Sequence, residues 1–204
     1  MENKTLHGTT TVGVLCSDGV VFGADKRASM GYFVASRDVD KIHQIDDRAA
    51  VTIAGMTADA QALVRLMKAE ISLYKTRTGM PLSVNAATSL MANIMHSYKF
   101  FPFLVQILIG GLDQQPRIYS LDPIGAMTEE TFVSTGSGSP VAYGVLEDSY
   151  REDKPIKDNL KLVLRALSVA MKRDCATGDG MDLVAISKDE FKKYTKAEIK
   201  KILE

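Results

Sequence analysis

Residues 8–27 read GTTTVGVLCSDGVVFGADKR, and this stretch decides how the first part of the chain folds. β-Branched and other apolar residues dominate it on both sides of Asp18-Gly19. The Asp-Gly dipeptide favours the tight turn of a β-hairpin because its residues tolerate positive φ. We therefore predict a hairpin with strands near residues 9–16 and 20–25.

The register of this hairpin places an acid beside the start of the first strand. With the turn at Asp18-Gly19, the position numbers of cross-strand partners sum to about 35 to 37. Asp25 therefore faces one of residues 10–12. Taken alone, Asp25 could equally well be an acid with a function at this end of the sheet or a residue that caps a turn or a helix.

The threonine run at the start of the hairpin has two interpretations. β-Branched residues are typical of strands, so the simpler interpretation of TTTVG is the beginning of a strand. The alternative is a hidden nucleophile. If the chain were cleaved after Gly8, Thr9 would become an N-terminal threonine, whose own amine can activate its hydroxyl.

The rest of the chain separates strand-like runs from helical ones. Strands are predicted at YFVAS, KIHQI and AAVTIAG, then at FLVQILIGG, RIYSLDP and AMTEETFVSTG, and finally at DLVAIS with a short extended piece at EFKKY. Apolar residues three or four apart predict helices over residues 58–77, 83–98 and 159–173, with another from about residue 141 and a turn or helix at the end. Segregated runs of this kind indicate an α+β layer sandwich rather than a βαβ alternation.

Composition narrows the class of protein. The 204 residues are 46% hydrophobic, and Lys plus Arg equals Asp plus Glu at 25 each. This is typical of one globular domain without a broad basic surface, so we expect neither nucleic acid nor a membrane as a partner. Two distant cysteines, Cys16 and Cys175, favour a reducing compartment, and no secretory signal or membrane span is evident, so we expect a cytoplasmic protein.

Two residues further along could serve catalysis. Lys41 stands just before an apolar strand, and Gly55 ends a strand that leads into a helix, where backbone N–H groups favour developing negative charge. Each has a simpler explanation, since most lysines are solvated and many glycines serve turns.

Two loops rich in glycine and hydroxyl groups, STGSGSP and RDCATGDG, flank predicted helix ends, where capping is the simpler role. The first approaches the dinucleotide-binding pattern GxGxxG, but Val141 occupies the third glycine position, so we exclude such a site. The three histidines are scattered without ligand spacing. We predict no metal and no cofactor.

Taken together, the chain resembles the archaeal-type proteasome β subunits, which are N-terminal-nucleophile hydrolases. The resemblance covers nearly the whole chain and is carried by GTTTVG, GVVFGADKRAS, DKIHQID, IAGMTADAQ, GSGSPVAYGVLE and RDCATGDG, in the family's order and spacing. It implies a four-layer αββα sandwich. It also implies that residues 1–8 are a propeptide removed by self-cleavage between Gly8 and Thr9, and that residues 9–204 form one catalytic domain.

The resemblance also implies roles for individual residues. Thr9 would be the nucleophile with its freed amine as proton acceptor, Lys41 held by Asp25 would lower the proton affinity of the hydroxyl, and the Gly55 amide would form the oxyanion hole. The supporting groups around the terminal amine would be Ser137, Asp174 and Thr177, the last at a position where many relatives have serine. The P1 pocket would be lined by uncharged residues, namely Ala28, Ser29, Val39 and Ile53, which favours cleavage after large apolar residues.

The resemblance implies partners as well. These are other β subunits in stacked seven-membered rings, proteasome α subunits outside them, unfolded polypeptide as substrate, and an ATPase regulator acting indirectly. Two other classes of function stay open on the sequence. One is a silent structural subunit with the same fold, and the other is a small-amide hydrolase or a bacterial ring protease without α subunits.

Overall fold

The computed structural model describes residues 8–204, which form twelve strands and five helices. The strands are β1 (Thr10–Cys16), β2 (Gly19–Asp25), β3 (Ala28–Met30), β4 (Phe33–Ser36), β5 (Ile42–Asp46), β6 (Ala49–Gly55), β7 (Val105–Leu112), β8 (Pro116–Leu121), β9 (Met127–Glu130), β10 (Phe132–Gly136), β11 (Met181–Ser187) and β12 (Phe191–Lys193). The helices are α1 (Thr57–Thr78), α2 (Val84–Ser97), α3 (Ser139–Ser149), α4 (Ile156–Arg173) and α5 (Lys196–Leu203). The predicted propeptide lies outside the described residues except for Gly8.

Two five-stranded antiparallel sheets stack between two pairs of helices. One sheet has the strand order β10-β1-β2-β11-β12, and the other has the order β5-β6-β7-β8-β9. Helices α3 and α4 pack on the first sheet, and α1 and α2 pack on the second. The four-layer αββα sandwich is confirmed, with the short β3–β4 hairpin beside it.

Each interface between layers has its own apolar core. Met67 and Met91 are buried between the α1–α2 pair and its sheet, and Leu164 is buried between α4 and the other sheet. Phe22 and Ile118 fill the space between the two sheets. Burying a large apolar side chain contributes roughly 1.5 to 3 kcal/mol, so these cores fix how the sheets are stacked.

The first hairpin has the predicted register. Cys16 pairs with Gly19 and Thr11 pairs with Ala24, which brings Asp25 level with Thr10. Gly19 has φ +158°, and a Cβ there would lie 2.1 Å from the carbonyl oxygen of Ile186 on β11. The glycine of the turn is therefore required by close packing against β11 as well as by the turn itself.

Several elements differ from the predictions, among them α4, which begins three residues earlier than predicted, at Ile156. AMTEETFVSTG is not one strand: β9 pairs with β8 and β10 pairs with β1, so the chain changes sheet at Thr131, whose carbonyl accepts from the Leu15 N–H. β-Propensity cannot say which sheet a strand joins. The strand β3 was not predicted because its three residues are too few for a pattern, and α3 begins earlier than expected, at Ser139, since Pro140 suits the first turn of a helix.

Candidate active site

Thr9 stands immediately before β1, an inner strand of the first sheet, and only 4% of it is exposed. Its hydroxyl donates to the carbonyl oxygen of Gly8 at 2.6 Å. Its backbone N–H donates to the Ser137 hydroxyl at 3.3 Å. The peptide bond between Gly8 and Thr9 is therefore held from both sides, with the threonine hydroxyl next to the carbonyl that a self-cleavage would attack.

Asp25 ends β2 and is fully buried. One carboxylate oxygen accepts from the Thr10 N–H at 2.9 Å and from the Lys41 ammonium at 2.6 Å. The other oxygen accepts from the backbone N–H groups of Arg27 at 3.1 Å and Gly178 at 2.9 Å. Four donors on one buried carboxylate satisfy the requirement that buried charge be paired and hydrogen-bonded.

Lys41 reaches Asp25 from the end of the segment between β4 and β5. Its ammonium donates to Asp25 and, at 2.7 Å, to the carbonyl of Arg27, and only 6% of the side chain is exposed. Burial lowers the pKa of Lys41, while the charge and hydrogen bond of Asp25 oppose the shift. Because Lys41 and the Thr10 amide share one oxygen, the ammonium lies close to the Thr9–Thr10 peptide group.

Gly55 and Thr9 both line one cavity. Gly55 ends β6 with φ +130°, a backbone conformation that residues other than glycine rarely adopt. A Cβ at this position would also lie 2.2 Å from the carbonyl oxygen of Leu104. Only glycine fits where β6 turns toward α1.

A second polar cluster, formed by Ser137, Asp174 and Thr177, contacts Thr9 and Thr10. Ser137 and Thr177 each donate to one carboxylate oxygen of Asp174 at 2.5 Å. The hydroxyl of Thr177 also lies 2.8 Å from that of Thr10. Asp174 is half-buried, so this cluster is more open to solvent than the one around Asp25.

The cavity next to Thr9 has a volume of about 390 Å³. All four residues expected in the P1 pocket line it, namely Ala28, Ser29, Val39 and Ile53. The cavity as a whole also has charged side chains in its wall, beyond the four residues expected in the P1 pocket. Asp38, Asp40 and Lys41 line the same cavity, as do His43 and Gln61. Apart from Lys41, sequence reasoning missed these residues, because they reach the cavity through the way β5, α1 and the segment before β5 pack together, which periodicity does not reveal.

Other contacts of the site were also not foreseen. The hydroxyl of Ser29 accepts from the Gly8 N–H at 2.9 Å. A Cβ on Gly8 would lie 1.9 Å from the Cβ of Ala176, so no other residue fits there without displacing the 174–178 loop. Arg27 pairs with Asp179 at 2.6 Å and holds the same loop. These residues lie within motifs that carry the resemblance, but the contacts between them form only through tertiary packing.

Comparisons with known proteins agree with this geometry. A family model described as "Proteasome subunit" matches residues 5–186. The chain belongs to the proteasome subunit family. Proteins named "Proteasome subunit beta" from Methanocaldococcus fervens, Methanosarcina mazei and Ferroglobus placidus are 51%, 50% and 50% identical to it. These alignments cover 97%, 98% and 100% of this chain and 90%, 97% and 98% of the relatives.

The relationship sets the enzyme class, and the described residues add two observations. At about half identity over the full length, the proteasome relationship makes this chain a hydrolase of the threonine peptidase type. Across residues 8–204, the helices are all too short or too polar to cross a bilayer. The same part of the chain brings no three His, Cys, Asp or Glu residues together as a metal site.

Proposed function

We propose that this chain is the catalytic β subunit of a proteasome core particle, with Thr9 as its nucleophile. The observation that carries the proposal is one buried oxygen of Asp25, which binds both the Lys41 ammonium and the amide of Thr10. This arrangement supports a positive charge near the Thr9–Thr10 peptide group, from which Lys41 would act on the Thr9 hydroxyl. In a protein interior such a charge acts several times more strongly than the ~1 kcal/mol it is worth at about 4 Å in water.

The first step in this proposal is self-cleavage. The Thr9 hydroxyl, 2.6 Å from the Gly8 carbonyl oxygen, attacks the carbonyl carbon. The Thr9 nitrogen leaves and takes a proton, which converts the peptide into an ester. Water then hydrolyses the ester, so that residues 1–8 depart with the Gly8 carboxylate and the Thr9 amine becomes free.

The second step repeats the chemistry on a substrate. The free amine of Thr9 accepts the hydroxyl proton, through a water molecule, while Lys41 stabilises the developing alkoxide. The Gly55 N–H binds the oxyanion, and Ser137, Asp174 and Thr177 orient the amine. The product amine leaves with a proton, and water releases the acyl group from Thr9.

The proposal extends to substrate and assembly. Ala28, Val39 and Ile53 give the P1 pocket an apolar lining, which favours large apolar residues before the scissile bond by roughly 1.5 to 3 kcal/mol per buried side chain. The substrates are unfolded polypeptides in the cytoplasm. The subunit works in stacked seven-membered rings with α subunits outside, and an ATPase regulator acts through the α rings.

Replacing the nucleophile tests the proposal most directly. The variant Thr9→Ala, co-expressed with α subunits, keeps residues 1–8 and hydrolyses no peptide, because cleavage and catalysis use one hydroxyl. The matched variant Thr9→Ser retains a hydroxyl and is processed. Intact mass and a fluorogenic peptide assay measure both results. A mature-length chain in Thr9→Ala would refute Thr9 as the cleaving group.

Substrate preference has its own test. A panel of fluorogenic peptides that differ only at P1 is expected to show the highest kcat/KM for large apolar residues. The acidic residues that line the cavity, Asp38 and Asp40, are expected to depress the rate for acidic P1 residues further. A preference for acidic P1 side chains is the result that contradicts this assignment.

A further inference from the structure

Lys26 is a buried lysine that takes no part in the steps above. It directly follows Asp25, and only 8% of its side chain is exposed. Its ammonium lies 2.7 Å from Asp38, 3.4 Å from Asp40 and 3.2 Å from Asp182. Burial lowers the pKa of Lys26, but the hydrogen bonds and charges of these carboxylates outweigh burial, so the pKa is raised and the ammonium stays charged.

The three carboxylates come from two parts of the fold. Asp182 lies on β11, which pairs with β2, and its side chain is only 11% exposed. Asp38 and Asp40 lie in the segment between β4 and β5, and their side chains are 73% and 58% exposed. One buried lysine therefore ties an exposed connecting segment to the central strands of the first sheet.

Backbone contacts make the same connection. The N–H of Val39 donates to the carbonyl of Lys26 at 3.0 Å. Val39 lines the cavity next to Thr9, and Lys41 follows it two residues later. The segment that carries the partners of Lys26 thus also carries one wall of the cavity and the active-site lysine.

The charges of this connection are crossed. Two Asp-Lys dipeptides, Asp25-Lys26 and Asp40-Lys41, exchange partners: Asp25 pairs with Lys41 at 2.6 Å, and Lys26 pairs with Asp40 at 3.4 Å. If the segment slid by one residue, like charges would face each other. The crossed pairs therefore fix its register along β2.

We propose that Lys26 is a positioning residue that fastens residues 38–40 to β2 and β11. It keeps Val39 in the wall of the P1 pocket and leaves Lys41 paired with Asp25 alone. This inference rests on the function proposed above for the cavity. It assigns the shape of the P1 pocket to an ion-pair cluster centred on Lys26, which does not itself line the cavity.

Three variants isolate this connection. Lys26→Met with Asp182→Asn removes it without leaving the Asp182 charge buried and unpaired. Asp38→Asn with Asp40→Asn breaks it from the exposed side, and also removes the ion pair of Asp40 with Lys193 on β12 at 3.2 Å, which Lys26→Met with Asp182→Asn leaves in place. Asp182→Asn alone is the matched control, because Lys26 keeps both partners in the connecting segment.

The first measurement is amide hydrogen exchange of Val39 in the purified protein. We expect exchange about tenfold faster in both double variants and unchanged in the control, since local opening of the segment releases this amide. The conservative variant Lys26→Arg keeps the charge and is expected to preserve slow exchange. If Lys26→Met with Asp182→Asn does not fold, the variant of Asp38 and Asp40 carries the same measurement.

The second measurement is peptide hydrolysis with large and small P1 side chains. We expect both double variants to raise KM for large apolar P1 residues by roughly five- to tenfold, about the effect of losing a methylene contact, with kcat changed by less than about twofold. Unchanged exchange and unchanged KM in the variant of Lys26 and Asp182 would overturn the inference. So would an effect confined to the variant of Asp38 and Asp40, which would assign it to charges in the cavity.

The exchange measurement also separates this inference from the proposed function. If the wild-type protein hydrolyses no peptide, the proposed function fails, yet the exchange of Val39 still reports whether Lys26 holds the segment. If the wild type is active but exchange at Val39 does not depend on Lys26, only the positioning role fails.

Discussion

Two carboxylates hold the residues around Thr9 from opposite sides, and they do so in different ways. Asp25 is fully buried, and backbone N–H groups and one lysine occupy both of its oxygens. Asp174 is half-buried and accepts mainly from two side-chain hydroxyls. A buried charge with rigid partners cannot adapt to a substitution, whereas an open cluster of rotatable hydroxyls can. The two sides should therefore differ in how much change they tolerate.

The largest effect is expected at Asp25. In Asp25→Asn the Lys41 ammonium loses the carboxylate that pairs with it in residues 8–204 and stays buried, which costs roughly 3 to 5 kcal/mol of stability. Self-cleavage and peptide hydrolysis should both fall by roughly 10² to 10⁴, the range for a positioned proton-transfer group. Intact mass, peptide assays and urea unfolding measure these changes. If Asp25→Asn were processed and active at wild-type rates, the Asp25 side would be no less tolerant of substitution than the Asp174 side.

The same variant has a signature in the pH dependence of stability. The folded-state pKa of Lys41 is lowered from 10.5, so between the two values the unfolded chain binds more protons and this group's contribution to stability rises with pH. Asp25→Asn removes the negative charge that counteracts the effect of burial on the pKa of Lys41. The folded-state pKa of Lys41 therefore falls further, and the pH range over which its contribution to stability rises extends to lower pH. Urea unfolding at several pH values, compared with the wild type, checks the sign.

A smaller effect is expected at Asp174. In Asp174→Asn the amide oxygen still accepts from Ser137 or Thr177, but a charge-assisted hydrogen bond becomes a neutral one, which costs on the order of 1 kcal/mol. Peptide hydrolysis should fall by about tenfold, and the thermal midpoint should change little. Rates as low as those of Asp25→Asn would show that the open side is as rigid as the buried one.

The smallest effect is expected at Thr177, which is only 1% exposed. Thr177→Ser keeps the hydroxyl that contacts Thr10 and Asp174 but loses a buried methyl group, about 0.8 kcal/mol of stability. Activity should stay within about twofold of the wild type. The matched variant Thr177→Val keeps the shape, loses the hydroxyl and should be less active. If serine and valine gave equal activity, the hydroxyl at this position would have no role in the open cluster.

Much of the fold was predictable because local patterns and burial agree over most of the chain. The hairpin register followed from one Asp-Gly turn, and it placed Asp25 beside Thr10. The bounds of α1, α2 and α4 followed from apolar spacing to within about three residues. Caps mark two of these ends: Gly79, in a left-handed conformation, follows the last residue of α1, and the Ser83 side chain caps α2. The change of sheet between β9 and β10 did not follow, because β-propensity is the same in either sheet.

The site was predictable only in part. The residues that the family resemblance named do meet around Thr9, and their roles stay predictions. The partners of Ser29, Ala176 and Lys26 were not predicted, since they are determined by packing between loops rather than by spacing along the chain.

By itself, the sequence determined the periodicities, the tight turn and the residue types available for chemistry, because these depend on neighbours within a few positions. Only the tertiary structure decided which groups meet. The contact between Thr10 and Thr177 spans 167 positions, and the one between Lys26 and Asp182 spans 156. Such contacts depend on the stacking of two sheets, and that stacking is fixed by apolar burial summed over the whole molecule.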